Sequence, residues 1–195
     1  MSSRPWNQIY ASGELPWDSG QPEPQLVELV TSGRIQPTPT LEIGVGTGTN
    51  SLWLAEQGFD VLGVDLAPLA IERALAKLDG RNLPCRFQIL DFLAASPSGG
   101  PFGFVFDRGC FHVFTQPEER AHFAAQVAAS LLPGGLWLSL IGSAEGSTRE
   151  IGPPRRSAQE IVSAIEPALE ILELRSATLH SYAAPAWRCL SRRRP

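Results

Sequence analysis

The chain has 195 residues, 43% of them hydrophobic and 18% charged, enough for one sizeable core and against a mainly disordered state. A formal net charge of -4 argues against a broad basic face for nucleic acid, and Arg192, Arg193 and Arg194 read as a solvated tail. Three scattered cysteines, Cys85, Cys110 and Cys189, with no C-x-x-C, no membrane-length apolar run and a polar start, point to a reducing cytoplasm without disulfides, a metal site or a membrane segment.

Residues 1–24 carry Trp6, Tyr10, Pro16, Trp17, Gly20, Pro22 and Pro24, and read as an irregular arm. Residues 25–32 place Leu26, Leu29 and Val30 on one face of a short helix. Residues 41–45 form an apolar strand that runs into a glycine-rich turn. A helix over 50–57 follows and ends at Gly58. Residues 60–65 are a second buried strand, and Pro68 opens a helix that continues to 78. Strands follow at 86–90 and 102–107. A helix over 118–132 stops at Pro133-Gly134-Gly135, and a fifth strand covers 136–141. Ser157 is placed to cap a helix over 157–165, and two last strands span 170–177 and 187–191. Strands alternating with helices imply a mainly parallel sheet covered on both faces. The link between the last two strands is too short for a crossover helix, so they pair as an antiparallel hairpin. One domain over 1–195 is expected.

Chemistry concentrates at the carboxyl ends of these strands. Glu42, Gly44, Gly46, Thr47 and Gly48 form an E-x-G-x-G-T-G turn between the first strand and the helix over 50–57. Glycines there let a ligand approach the backbone, and the acid suits a ligand that carries positive rather than phosphate charge. Asp65 ends the second strand, followed by Leu66, where a carboxylate can accept both ribose hydroxyls. Asp91 ends the third strand beside Phe92, a pair able to take an adenine amino group and ring. Asp107-Arg108-Gly109-Cys110-Phe111-His112 closes the fourth.

The order and spacing of these motifs, with Leu132-Pro133-Gly134-Gly135 before a strand, resemble the class I S-adenosylmethionine-dependent methyltransferases over about residues 40–141. That likeness implies a Rossmann-like α/β fold: a seven-stranded mostly parallel sheet with an antiparallel terminal hairpin and helices on both faces. It also implies that Gly44, Gly46 and Gly48 surround the amino-acid part of the cofactor, that Asp65 holds the ribose, and that Asp91 and Phe92 hold the adenine. The Asp107-Arg108-Gly109 triplet, the aromatic arm and Gly152-Pro153-Pro154 are similar to the thiopurine methyltransferase family. By that resemblance Arg108 faces the transferred methyl and the acceptor, and the arm folds over the cofactor, with Trp17 foremost, then Trp6 and Tyr10. Small bacterial thiol, halide and chalcogen methyltransferases are an equally good match.

The function this implies is methyl transfer from S-adenosylmethionine to a small soft nucleophile: a thiol, a thiopurine, a halide or a chalcogen anion. Arg108 would favour the anionic acceptor. His112 is the first choice for a general base, and Asp107 would orient Arg108 or meet the cofactor's ammonium. Cys110 lacks a paired base. Residues 142–147 are small enough for a mobile lid. The partners expected are a small-molecule acceptor, with no nucleic acid or membrane, and a monomer or weak dimer. The alternatives are transfer to another small metabolite, a non-catalytic cofactor-binding module, a nucleic-acid methyltransferase lacking the usual N-P-P-Y, and a nicotinamide dehydrogenase.

Overall fold

The computed structural model describes residues 6–145 and 154–195. Its strands are β1 (Pro39–Ile43), β2 (Asp60–Asp65), β3 (Cys85–Ile89), β4 (Phe102–Arg108), β5 (Leu131–Gly142), β6 (Glu170–Leu179) and β7 (Ala184–Arg192). They form one seven-stranded sheet in the order β3-β2-β1-β4-β5-β7-β6. The first five pair in parallel, and β7 runs antiparallel to both β5 and β6. The chain moves outward from β1 to β3 and then returns to β4 on the other side of β1. That reversal opens a crevice at the carboxyl ends of β1 and β4, where such sheets bind ligands.

The helices are α1 (Trp6–Ser12), α2 (Pro24–Thr31), α3 (Thr49–Glu56), α4 (Pro68–Leu78), α5 (Pro117–Ser130) and α6 (Ala158–Ile165). Burial on both sheet faces explains why β1 is almost continuously buried rather than alternating. On one face Leu26, Leu29 and Leu54 from α2 and α3 pack on Phe104, Phe106 and Leu138. On the other, Phe123, Val127, Ile161 and Ile165 from α5 and α6 pack on Ile43, Val105 and Trp137. Pro68 and Pro117 start their helices, where a missing N–H costs nothing. Ser157 caps α6 as expected: its Oγ accepts from Glu160 N, while Glu160 Oε2 accepts from Ser157 N at 2.9 Å.

Two boundaries differ from the sequence reading. The arm is not wholly irregular, because Trp6–Ser12 forms α1. No proline or glycine interrupts this stretch, and α4 holds it: Arg73 Nη2 donates to Tyr10 O at 2.7 Å, and Leu69 N to Asn7 Oδ1 at 3.0 Å. The long helix stops at Ser130 and β5 starts at Leu131. Leu131 is fully buried and pairs with Phe102, and Pro133 biases Leu132 toward extended backbone. Pairing shifts register across 132–135 and resumes between Leu136 and Phe104. The stretch Gly152-Pro153 and residues 146 and 147 of the expected lid lie outside the described residues.

The terminal hairpin is longer than expected and turns through a 3-10 segment, His180–Tyr182, with Ala183 left-handed at φ 47°. Arg188 of β7 is 1% exposed. Its Nε donates to Glu173 Oε1 at 2.7 Å and its Nη1 to Glu28 Oε2 at 2.9 Å, clamping α2 onto the hairpin. A charge this deep needs both partners to offset its desolvation.

Candidate functional site

A cavity of about 410 Å³ lies at the crevice. The glycine turn, the ends of β2 and β4 and the N-terminal arm line it. Gly46 has φ 58°, and a Cβ there would stand 3.2 Å from Tyr10 Oη, so this glycine lets the arm close over the turn. Gly44 also lines the cavity, but Gly48 does not. A Cβ on Gly48 would meet Ala74 Cβ and Phe87 Cζ at 3.0 Å, so this glycine seats α3 against α4 rather than contacting a ligand.

Glu42 sits at the cavity floor, 2% exposed. Its Oε2 accepts from Ser51 Oγ at 2.5 Å and its Oε1 from Asn50 Nδ2 at 3.2 Å. Burial outweighs these bonds and pushes the carboxyl up to about 7. Asp65 accepts from Gly46 N at 3.0 Å and Ala67 N at 2.9 Å, and burial raises its pKa too. Asp91 Oδ1 accepts from Leu93 N at 3.0 Å. Phe92 borders the cavity while meeting Phe123 edge-on at 5.2 Å, and Leu66 forms part of the wall. The predicted carboxylates are thus gathered along one cavity.

At the end of β4 the neighbours separate. Arg108 lines the cavity; Asp107 does not. Asp107 is fully buried: Oδ1 accepts from Cys110 N and Phe111 N, and Oδ2 from Trp137 Nε1 at 3.0 Å. Burial nevertheless pushes it up to about 6. It shapes the turn after β4 and neither orients Arg108 nor faces the cavity, which corrects its expected role. The Arg108 guanidinium donates through Nε to Glu23 Oε2 at 2.6 Å, through Nη1 to Trp17 O at 3.0 Å, and through Nη2 to Ser181 Oγ.

His112 is 3% exposed and borders the cavity. Its Nδ1 accepts from Gly142 N at 2.8 Å, so the neutral ring carries its proton on Nε2. A ring in that tautomer donates at Nε2, and the general-base expectation is corrected on that ground. Burial and the carboxylates of Asp107, Asp65 and Asp91 hold the Cys110 thiol well above its usual pKa, so it stays protonated.

The arm closes the remaining side. Trp17 meets Trp6 and Tyr10 edge-on, with centroids 6.1 and 6.0 Å apart, and all three line the cavity. Burial raises the Tyr10 pKa and keeps its hydroxyl neutral. Thr47 Oγ1 donates to Asp18 Oδ2 at 2.6 Å and accepts from Lys77 Nζ at 2.5 Å, pinning the arm to the glycine turn. Sequence reasoning missed Asp18, Glu23, Asn50, Ser51 and Ser181. Asn50 and Ser51 begin the helix after the glycine turn and are readable from that position. Ser181 has no motif around it.

Glu42 and Asp65 are both raised by burial, and no Lys or Arg forms an ion pair with either among the described residues. A ligand bearing positive charge beside ribose hydroxyls fits this lining. A pyrophosphate set against Asp18, Glu42 and Asp65 does not.

The family model for thiopurine S-methyltransferase matches residues 1–188. The chain belongs to the thiopurine S-methyltransferase family. Its cofactor is S-adenosylmethionine. The chain is 31% identical over 155 residues to a probable thiol methyltransferase 2 of Arabidopsis thaliana, covering 78% of this chain and 67% of that one. It is 30% identical over 128 residues to a 2-heptyl-1-hydroxyquinolin-4(1H)-one methyltransferase of Mycobacteroides abscessus. That match covers 65% of this chain and spans only 55% of the relative's length. A structure solved in work on the conversion of a disulfide bond into a thioacetal group during echinomycin biosynthesis superposes with TM-score 0.80 at 27% identity, covering 97% of this chain and 91% of that one. A Burkholderia thailandensis 1,6-didemethyltoxoflavin-N1-methyltransferase with bound S-adenosylhomocysteine shares the fold, with TM-score 0.73 at 16% identity, covering 97% of this chain and 86% of that one.

Proposed function

We propose that this protein transfers the methyl group of S-adenosylmethionine to a small-molecule soft nucleophile of the thiol, thiopurine, halide or chalcogen class. The observation that carries the reading is the row of carboxylates, Glu42, Asp65 and Asp91, along one cavity that the arm closes. When bound, S-adenosylmethionine supplies a methyl group already activated by its sulfonium charge.

The protein's residues then have distinct tasks. Glu42 faces the cationic amino-acid end, with Gly44 and Gly46 letting that end meet the backbone. Asp65 accepts the ribose hydroxyls, and Asp91, Phe92 and Leu66 hold the adenine. Thr47 and Trp17 keep the arm down, so water is excluded from the acceptor. Arg108 stands at the acceptor end, where it ties the arm, β4 and the β6–β7 turn together. Alignment and desolvation are most of what such a reaction requires, so no dedicated base is assigned. His112 contributes a hydrogen-bond donor at Nε2.

In this reading the protein is a monomer or weak dimer that works in the cytoplasm without nucleic acid or a membrane. No helix among the described residues is long and apolar enough to cross a membrane. The relatives named for thiols and for a hydroxyquinolone support a small organic acceptor.

Calorimetric titration with S-adenosylmethionine, S-adenosylhomocysteine and NAD tests the reading. Binding of both sulfur compounds and not NAD, followed by methyl transfer to a thiol, supports it. Binding without transfer to any thiol, halide or chalcogen anion leaves a non-catalytic module and refutes it.

A further inference from the structure

We propose that Glu23 is a specificity-determining residue: by neutralising Arg108 it excludes small free anions, so the acceptor is an uncharged, largely apolar organic thiol or thione. This inference rests on the methyltransferase reading and narrows its acceptor class.

Arg108 is the only guanidinium or ammonium group among the described residues that line the cavity, facing Asp18, Glu42, Asp65 and Asp91. A free anion would have to find its counter-charge at this side chain. Three acceptors already occupy it. Glu23 Oε2 takes Nε at 2.6 Å, Trp17 O takes Nη1 at 3.0 Å, and Ser181 Oγ takes Nη2. Of a guanidinium's five N–H bonds, those left on Nη1 and Nη2 can still serve a neutral acceptor atom.

Glu23 is placed to pair with that charge. It is 2% exposed and enters α2 directly behind the arm, and its backbone N donates to Asn50 Oδ1 at 2.9 Å. Its second oxygen, Oε1, is buried and takes no hydrogen bond among the described residues. The ion pair compensates the guanidinium charge without help from a ligand. A small anion approaching Arg108 from the cavity would find that charge already compensated, with Glu23 as like charge behind it. Much of the remaining cavity wall is apolar, with Trp6, Ile9, Trp17, Val113, Phe114 and Leu179 among its residues. Such walls reward burial of hydrocarbon or aromatic surface and offer an anion no counter-charge.

The test uses the full chain saturated with S-adenosylhomocysteine, whose binding is measured first. A chain that binds neither sulfur compound refutes the methyltransferase reading itself. On the complex, thiocyanate is titrated calorimetrically against chloride, and phenylmethanethiol, a mostly uncharged thiol at neutral pH, is titrated alongside. Thiocyanate is expected to bind no better than chloride and not to compete with phenylmethanethiol. Glu23→Gln is expected to tighten thiocyanate binding by about tenfold and to raise the thiocyanate-to-phenylmethanethiol ratio of kcat/KM by a similar factor. Glu23→Asp keeps the charge and is expected to keep the wild-type preference. Thiocyanate binding to the wild-type complex beyond the chloride level, or a Glu23→Gln variant with an unchanged ratio, overturns the proposal. Should Glu23→Gln fail to fold, the wild-type titration decides alone.

Discussion

Replacing Glu42 with Gln isolates the cost of a buried carboxylate in the cofactor-free protein. Burial moves the group from 4.5 to about 7, a penalty of about 3 kcal/mol on the ionised form. The folded state therefore holds this proton more tightly than the unfolded chain does. The resulting stabilisation is complete below pH 4.5 and is lost as pH rises through about 7. Gln is neutral at every pH. Its carbonyl can keep the Ser51 hydroxyl, but its NH2 then faces Asn50 Nδ2, donor against donor. That mismatch costs about 1 kcal/mol. The variant should thus match the wild type near pH 5 and exceed it by about 2 kcal/mol near pH 9. Urea unfolding of both proteins across that range measures the difference. Curves that run parallel from pH 5 to 9 would refute the reasoning, because Glu42 would then ionise alike in both states. The same variant should lose affinity for S-adenosylmethionine, since the carboxylate that burdens the empty protein is the one a cation relieves.

Other substitutions probe the remaining groups. Asp107→Asn turns an amide NH2 toward Trp137 Nε1 or the two backbone donors, and should destabilise the fold by about 2–3 kcal/mol in urea unfolding; a change under about 0.5 kcal/mol would show that the carboxylate is not a structural anchor. Asp65→Ala should weaken S-adenosylhomocysteine binding by about 1.5–3 kcal/mol in calorimetry, and full affinity removes Asp65 from the ribose site. His112→Asn should leave the shape of the pH–rate profile intact, since the ring is a donor at Nε2; disappearance of a limb of that profile would restore the base role. Cys110→Ser should retain turnover within about threefold, as a thiol held protonated is no nucleophile.

The parts of this protein legible in the sequence are those whose causes are local. Glu42, Gly46, Asp65 and Asp91 each follow directly from a strand end, and a parallel sheet brings strand ends to one edge wherever the strands are read correctly. The capping of α6 by Ser157 is equally local. Asp107 shows where this reasoning misleads. It shares a strand end with Arg108, yet alternation along β4 sends it to the opposite side, into the aromatic core against Trp137. Arg188 is not legible in this way, because a guanidinium in a strand gives no sign of burial until Glu28 and Glu173 arrive from α2 and β6.

The Arg108 end of the cavity is the least legible in the sequence, and its contacts explain why. Arg108 meets Glu23 across 85 residues and Ser181 across 73, and Ser181 reaches Trp17 O across 164. No periodicity or motif encodes contacts at those separations. Ser181 Oγ and Arg108 Nη1 both donate to the backbone carbonyl of Trp17 rather than to its side chain, so its indole could be replaced without removing that acceptor. What local sequence does supply is the approach: Tyr10 packs over the side-chain-free Gly46, and Thr47 takes Asp18. The arm is therefore registered on the glycine turn by residues near the cofactor end, and only then delivers Glu23 to Arg108. A change in the arm that spares Asp18 and Tyr10 should accordingly alter which acceptor is chosen before it alters cofactor binding. Parallel measurements of S-adenosylhomocysteine affinity and acceptor preference on Glu23 and Asp18 variants separate the two effects. Equal losses of both in a Glu23→Gln variant would show that the arm acts as one unit.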